Sequence, residues 1–373
     1  MKKVKKVSFI FVFLLFASIR PASALLPSNE LWREDLINSV VGFAENTTGG
    51  RGGSLCQVTN LNDSGAGSLR ACAEAQGPMW IVFTVSGTIN LQSVVHVTSH
   101  KTIDGRGQNI IVSNRGFTIG TWTDGGSHST VTNVIIHNIQ MKSNRSNGMI
   151  IIAEDASNVW IDHNTFQDAV DEIIYVGSGS GFNHPAPYNI TISWNRCATT
   201  TPGQGWADKC ILVSDPSDTP DVNTTITLHH NHYQTYIRHP LARYAKIHAF
   251  NNYCEATGRC YDLYTDVQLY SENEIFRLVP GAANPTIKLS GNEPWDPRGA
   301  ANVKVVNPLL LNGATIQQIN PSTIFNPASY YSYTPDTANA ALQAAIASNG
   351  GWQNMTVPPT PTPPQAPSNL VVK

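Results

Sequence analysis

The chain has few charged side chains. Asp, Glu, Lys and Arg make up 13% of its 373 residues, and its formal net charge is −2, whereas about a quarter of the residues in a typical soluble domain are charged. Such a composition provides no broad basic surface for nucleic acid or for an anionic membrane. We therefore predict no nucleic-acid partner, and any anionic ligand has to be bound by a few local basic residues.

Long apolar runs are equally scarce. The one clear run covers residues 7–19; four lysines precede it within the first six residues, and the small residues Ala22-Ser-Ala follow it. This order is typical of a secretory signal peptide, and the run is too short for a membrane-spanning helix. We predict a signal peptide over residues 1–24 and a secreted, extracellular, soluble protein without a membrane partner.

Helical periodicity is nearly absent, and a different repeat takes its place. Six times a short apolar strand with period-two alternation runs into an asparagine, and the shortest intervals, from residue 231 to 252 and from 252 to 273, are 21 residues. A period of this length is typical of a solenoid, in which each turn buries its apolar face against the next. The six asparagines are Asn138, Asn164, Asn195, Asn231, Asn252 and Asn292.

These repeats predict an all-β fold, a right-handed parallel β-helix. Asparagine tolerates left-handed backbone, and its amide can bond to the copy above and below, so the repeats also predict an asparagine ladder. We expect a short helix within residues 68–75 to cap the open N-terminal end, and a second one over 338–347 to pack outside. The β pattern fades after Asn292. The predicted domains are the β-helix over residues 25–356 and a Pro/Thr-rich linker and tail over 357–373.

The cysteines favour export. Six cysteines allow fifteen connectivities, but sequence neighbours in a solenoid lie in the same or adjacent coils, so we predict three local disulfides. Zinc binding is the alternative, although the chain has no Cys-x-x-Cys pair. The predicted pairs are Cys56 with Cys72, Cys197 with Cys210, and Cys254 with Cys260.

Charged residues concentrate in the longer coils after Asn164. Asp171 follows Asn164 by seven residues, and Arg238 follows Asn231 by seven residues. Equal phase places both side chains on one edge of the solenoid, two rungs and roughly 10 Å apart at about 4.8 Å per rung. An acidic rung facing a guanidinium rung forms a groove suited to an anionic polymer held by calcium, which prefers carboxylate oxygen.

Four segments resemble the pectate lyase family, the polysaccharide lyase family that also contains the pectin lyases. They are Val159-Trp-Ile-Asp-His, Ile237-Arg-His-Pro-Leu-Ala-Arg, Thr102-Ile-Asp-Gly-Arg-Gly and the glycine-rich Gly49-Gly-Arg-Gly-Gly. The resemblance runs from about residue 42 to 292. It implies β-elimination on an acidic plant cell-wall polysaccharide, pectate or pectin, by an enzyme that uses Ca²⁺ and that we expect to be a monomer.

The resemblance also implies roles for individual residues. Asp162 and Asp171 match calcium ligands, and Lys209 matches a lysine that holds a uronate carboxylate. Arg238 matches the catalytic base, which removes the proton at C5, and Arg243 matches an arginine that binds substrate or braces the groove. An arginine base requires a lowered pKa, since free guanidinium is almost always protonated.

The chain departs from the family at one position. Calcium-dependent members carry a second acid four residues after the one matched by Asp171, and this chain has Tyr175 there. Three readings stay open: Glu172 or Asp168 completes the calcium site; the enzyme needs less calcium and acts on methylated pectin; or the protein binds polysaccharide without cleaving it. A glycoside hydrolase with two catalytic acids is the rival enzyme class, but it needs no arginine base.

Overall fold

A computed structural model describes residues 31–121, 130–144, 148–177, 185–199, 209–215, 223–256, 258–289 and 301–356. The predicted signal peptide, the predicted linker and tail, and Asn292 lie outside these residues. No helix in the described part of the chain combines the length and the apolar character that crossing a membrane requires.

The described strands, numbered in chain order, stack into three parallel sheets that the chain visits in turn. The first sheet contains β1 (Ser54–Val58), β2 (Met79–Phe83), β5 (Lys101–Asp104), β8 (Val131–His137), β11 (Ala156–Asp162), β14 (Tyr188–Ser193), β17 (Thr224–His229), β20 (Ala245–Phe250), β23 (Gln268–Glu272) and β26 (Asn302–Val306). The second contains β3 (Gly87–Asn90), β6 (Ile110–Asn114), β9 (Gln140–Asn144), β12 (Thr165–Gln167), β15 (Arg196–Ala198), β18 (His232–Gln234), β21 (Tyr253–Cys254), β24 (Ile275–Arg277) and β27 (Leu309–Leu311). The third contains β4 (Val95–Val97), β7 (Phe117–Ile119), β10 (Gly148–Ile152), β13 (Glu172–Val176), β16 (Lys209–Val213), β19 (Leu241–Ala242), β22 (Tyr261–Leu263) and β25 (Ile287–Leu289).

The sequence repeats form the core of this right-handed parallel β-helix. Ile190 pairs with Ile226, Ile226 with Ile247, and Ile247 with Leu269, each one rung along. All four side chains are buried, because alternate residues of each strand point into the cylinder and can leave water only by stacking on the next coil. The predicted fold class is confirmed. The expected fading after Asn292 is wrong in part, since β26 and β27 add another coil.

The asparagine ladder lies at the turn between the first and second sheets. The side-chain oxygen of Asn195 accepts hydrogen bonds from the backbone and side-chain nitrogens of Asn164, at 2.9 and 3.1 Å. The same pair of bonds joins Asn195 to Asn231 and Asn231 to Asn252. Each ladder amide also donates to a strand carbonyl, for example Asn195 to Ile161. The ladder therefore satisfies buried polar groups that an apolar residue would leave unpaired.

Two asparagines lie one residue before the ladder position: Asn138, which was predicted to belong to the ladder, and Asn273, which ends the second 21-residue interval. Asn138 and Asn273 occupy the preceding turn position, with left-handed φ angles of 59° and 49°. The ladder position after Asn252 belongs instead to Glu274, whose carboxyl accepts from the Asn252 side chain at 2.9 Å and also contacts Ser271 and Tyr261. A carboxyl group thus ends the ladder in a fully buried site.

This carboxyl makes stability depend on pH. Burial raises the pKa of Glu274 to about 7, although its three hydrogen-bond donors oppose the shift. The folded state therefore keeps a proton that the unfolded chain, with a carboxyl pKa near 4.5, has already released. Its stabilising contribution is complete below about pH 4.5 and is lost as the pH rises towards 7, at roughly 1.4 kcal/mol per pH unit.

We expect Glu274→Gln to remove that dependence, because a neutral amide accepts from Asn252 and Tyr261 and donates to Ser271. Urea unfolding between pH 4.5 and 8 should show the wild type losing about 3 kcal/mol relative to the variant. Equal pH profiles for the two proteins would contradict the assignment.

In the part of the chain that the structure describes, three α-helices pack on or outside the cylinder. The second helix, α2 (Leu69–Ala73), begins at the N-cap Ser68 and buries Leu69 and Ala73 in the central core, so the predicted capping helix is confirmed. The predicted external helix is also present, as α3 (Ala340–Asn349). The first helix, α1 (Leu31–Ile37), was not predicted; its Trp32 packs edge-on against Trp80 at 5.3 Å between ring centroids. Two 3-10 helices, Pro321–Thr323 and Pro327–Ser329, precede α3.

All three predicted disulfides are present. Each links residues of one coil or of the N-terminal cap, as we predicted for cysteines that are close in sequence. The described chain contains no free cysteine.

A C-terminal segment, residues 331–355, runs back along the outside of the turn that carries the ladder. Its Asp336 nitrogen donates to Asn251, the Gly351 nitrogen to the Trp194 carbonyl, and the Gly107 nitrogen to the Met355 carbonyl. The segment therefore contacts coils from the C-terminal half of the cylinder to its N-terminal half.

Candidate active site

Four of the six predicted site residues come together at the entrance edge of the third sheet. Glu172 opens β13, and Lys209 opens β16 directly opposite it in the register. Asp171 immediately precedes β13. Lys209 in turn pairs with Ile237 on the next rung, so Arg238 lies two rungs from Glu172 on the same wall. The equal phase of Asp171 and Arg238 predicted this arrangement.

The four side chains form a charge-balanced cluster. Lys209 contacts the Asp171 carboxylate directly and lies 3.7 Å from Glu172 Oε1. Arg238 Nη1 contacts the same Glu172 oxygen. Glu172 and Lys209 are nearly buried, whereas Asp171 and Arg238 remain 38% and 17% exposed in their side chains. Charges paired in a partly dry site interact more strongly than exposed pairs, and the exposed members can meet a ligand.

The backbone holds Arg238 in an unusual conformation. Its φ of 67° is left-handed, which costs energy in a residue with a Cβ and is often found at functional sites. The Arg238 carbonyl accepts from the Ile211 nitrogen at 2.7 Å. Next to it, burial lowers the pKa of His239 to about 3; the neutral ring donates to the Arg259 carbonyl and accepts from the Thr235 hydroxyl. These contacts hold the backbone of Arg238 and the ring of His239 in place.

The surroundings of Arg238 favour a lowered pKa of its guanidinium. Burial lowers the pKa of Arg238 below its usual range, the Asp171 carboxylate opposes that shift, and Arg243 adds to it. Both effects required of an arginine base, desolvation and a neighbouring cation, are therefore present.

Arg243 does not lie where a polymer could contact it. The residue is 2% exposed; its guanidinium lies 4.6 Å from the ring centroid of Tyr264 and donates to the Ser214 carbonyl at 3.1 Å. Of the two predicted roles, substrate binding does not fit this position, because the side chain is enclosed beneath the wall. Bracing the wall and repelling the proton of Arg238 do fit.

Tyr175 packs into an apolar cluster on the outer face of the third sheet. In the register it lies between Ile151 and Leu212, and Leu241 and Tyr264 complete the cluster. The position at which the family resemblance predicts an acid therefore makes apolar contacts here. Asp168 lies in the turn between β12 and β13, with a left-handed φ of 58°.

Asp162 lies on a different sheet from the other predicted calcium ligands. It ends β11 in the first sheet, where Oδ2 is 2.9 Å from His137 Nδ1 and 2.6 Å from His163 Nδ1, and Oδ1 accepts from Ser193 at 2.5 Å. Burial alone raises the pKa of Asp162, but His163 and His137 together lower it well below its usual range. The structure does not bring Asp162 to Asp171, so the predicted shared site does not fit these positions.

The cluster itself offers two carboxylates, those of Asp171 and Glu172, to a calcium ion. Hard oxygen donors on adjacent residues suit calcium, but the ion takes six to eight oxygens. Both carboxylates are also engaged by Lys209 and Arg238. The donor set thus fits a weak site, in which substrate and water supply most of the oxygens.

Comparison with known proteins agrees with this architecture. The sequence profile of the family described as pectate lyase matches residues 39–355. Pectate lyase 1 of Cryptomeria japonica is 28% identical over 295 residues, which is 71% of each chain. Probable pectate lyase 6 of Arabidopsis thaliana is 31% identical over 70% of this chain and 54% of its own length.

Solved structures show the same fold. The cedar pollen allergen Jun a 1 superposes with a TM-score of 0.66 and 23% identity, covering 88% of this chain and 99% of the allergen. A pectate lyase from Bacillus sp. N165, solved in complex with trigalacturonate, gives a TM-score of 0.61 and 23% identity over 84% of this chain and 98% of that one.

Proposed function

Because the chain belongs to the pectate lyase family and is a polysaccharide lyase, we propose that it cleaves polygalacturonate by β-elimination at the cluster of Asp171, Glu172, Lys209 and Arg238. One observation gives this proposal its main support. A partly exposed guanidinium with a lowered pKa lies beside a lysine on one wall of the third sheet.

Lys209 and Arg238 have different roles in the elimination. The lysine binds the uronate carboxylate, and its charge stabilises the enolate-like transition state that develops when C5 loses its proton. Arg238, in its deprotonated form, takes that proton. The electron pair of the C5–H bond forms the C4–C5 double bond, the C4–oxygen bond breaks, and the leaving oxygen takes a proton from water.

Glu172 controls the availability of the base. While it contacts Arg238, its charge favours the protonated guanidinium. When the carboxylate is engaged elsewhere, Arg238 loses its counterion, and burial and Arg243 then favour release of the proton. Calcium, held by Asp171 and Glu172, would supply positive charge that neutralises the uronate carboxylate.

We also propose that the protein is secreted and meets its polymer outside the cell. The signal-peptide pattern of residues 1–24 supports export. The three disulfides support an oxidising compartment.

Product chemistry tests the proposed function. Polygalacturonate should yield an unsaturated uronide that absorbs ultraviolet light, and its formation should slow in a calcium-selective chelator and recover with added calcium. Highly methylated pectin should react more slowly, because the ester lacks the charge that Lys209 binds. Preference for methylated pectin with no response to chelator would instead favour a pectin lyase. Reducing ends without absorbance would identify a hydrolase, and binding without either product would identify a binding protein.

A further inference from the structure

A second group of potential ligands lies on the first sheet, apart from the cluster on the third. His137 ends β8, Asp162 ends β11 in register with it, and His163 follows directly at the left-handed turn position, with φ of 53°. Among the described residues this is the group of His, Cys, Asp and Glu whose ligand atoms, one per residue, all lie within 4.8 Å of one another. The catalytic proposal does not use it.

The donor atoms converge on one point. Nδ1 of His137 and Nδ1 of His163 both face the same oxygen of Asp162, at 2.9 and 2.6 Å. A carboxylate only accepts, so both Nδ1 atoms carry protons in this state. Two imidazole nitrogens and one carboxylate oxygen are the ligand set of zinc and similar divalent transition metals, whereas calcium prefers oxygen alone. A metal ion would replace the two protons.

Neighbouring side chains orient the carboxylate as an outer shell orients a metal ligand. Ser193 donates to the second oxygen of Asp162, and Trp160 Nε1 donates to the Ser193 hydroxyl at 2.8 Å. The His163 ring stacks on Trp194, 5.6 Å between centroids with planes 13° apart. Such supporting contacts fix both the direction and the ionisation of a ligand. His163 is 18% exposed in its side chain, which leaves a path from solvent.

We propose that His137, Asp162 and His163 form a site for one zinc-class divalent metal ion, with a remaining coordination position open to water. The ion would link two successive coils at the end of the first sheet. Its place on another sheet makes it separate from any calcium held by Asp171 and Glu172.

Direct metal titration of the untagged, chelator-treated protein tests this site. We expect one equivalent of Zn²⁺ by calorimetry, a tetrahedral Co²⁺ absorption spectrum, and a higher melting temperature with Zn²⁺. His163→Phe keeps a ring on Trp194 but removes the ligand nitrogen, so the Zn²⁺ affinity should fall at least about 100-fold. The control is His230→Phe, since His230 stacks on Trp194 at 4.4 Å without belonging to the group; its affinity should match the wild type.

The wild-type measurement decides the matter even if a variant fails to fold. Substoichiometric Zn²⁺ uptake would show that the three residues are only a hydrogen-bonded brace, and the proposal would fail. Equal affinities of wild type and His163→Phe would also overturn it. Neither result depends on lyase activity, so the site and the proposed function can fail separately.

Discussion

The Arg238→Lys variant is expected to lose about 10²- to 10⁴-fold in kcat on polygalacturonate, the usual contribution of a positioned general base. Lysine retains a charge, but its shorter side chain lacks the planar group that reaches Glu172 from a left-handed backbone. KM should change much less, because binding of the uronate depends on Lys209. Initial rates of unsaturated product over a range of polymer concentrations give both constants.

A matched control separates this effect from a general loss of arginine. Arg277 is 44% exposed in its side chain and pairs with Glu255 on the second sheet, so Arg277→Lys should leave both constants within about twofold. An Arg238→Lys variant as active as the wild type would show that another group takes the C5 proton.

The Lys209→Met variant is expected to lose about 10²- to 10³-fold in kcat/KM on polygalacturonate. Methionine retains most of the length of the side chain but removes the charge that stabilises the developing enolate, and loss of one such electrostatic contact typically costs this much. Removal of the ammonium also takes a counterion away from Asp171 and Glu172. Repulsion of the uronate therefore adds to the loss.

Substrate charge provides the internal comparison for this variant. On highly methylated pectin the decrease should be much smaller, since the ester carries no negative charge for Lys209 to bind. Lys246→Met, on β20 of the first sheet, serves as the control and should retain full activity. An equal loss on both polymers would assign Lys209 a structural role.

Most of the fold could be predicted from the spacing of the asparagines. It set the coil length, and the phase of Asp171 and Arg238 relative to the ladder placed the two on one wall. The same reasoning applied to Asp162 gives the opposite result. Asp162 precedes Asn164 by two residues, whereas Asp171 follows it by seven, and residues so far apart within one coil belong to different sheets. Asp162 was grouped with Asp171 because of its family motif, although their positions relative to Asn164 place them on different sheets.

Other features depended on tertiary contacts that no local pattern shows. The ladder position of Glu274 was missed because a carboxyl there replaces an amide, and its neighbour Asn273 suggested a regular repeat. Arg243 follows Arg238 by five residues, yet Arg243 is enclosed and Arg238 is partly exposed. That difference comes from Tyr264 on the next coil, which covers Arg243. Helix α1 is short and depends on Trp80 and Trp160 for its packing.

The C-terminal segment, residues 331–355, affects how the cylinder unfolds. In a simple stack each coil touches only its neighbours, so the ends fray independently of the middle. Here Gly107 bonds to Met355 near one end, while Ile275 and Tyr253 pack beneath α3 near the other. The segment therefore ties together coils that are far apart along the cylinder, and separating those coils requires the segment to detach. We therefore expect the coils that the segment contacts to unfold together rather than one after another.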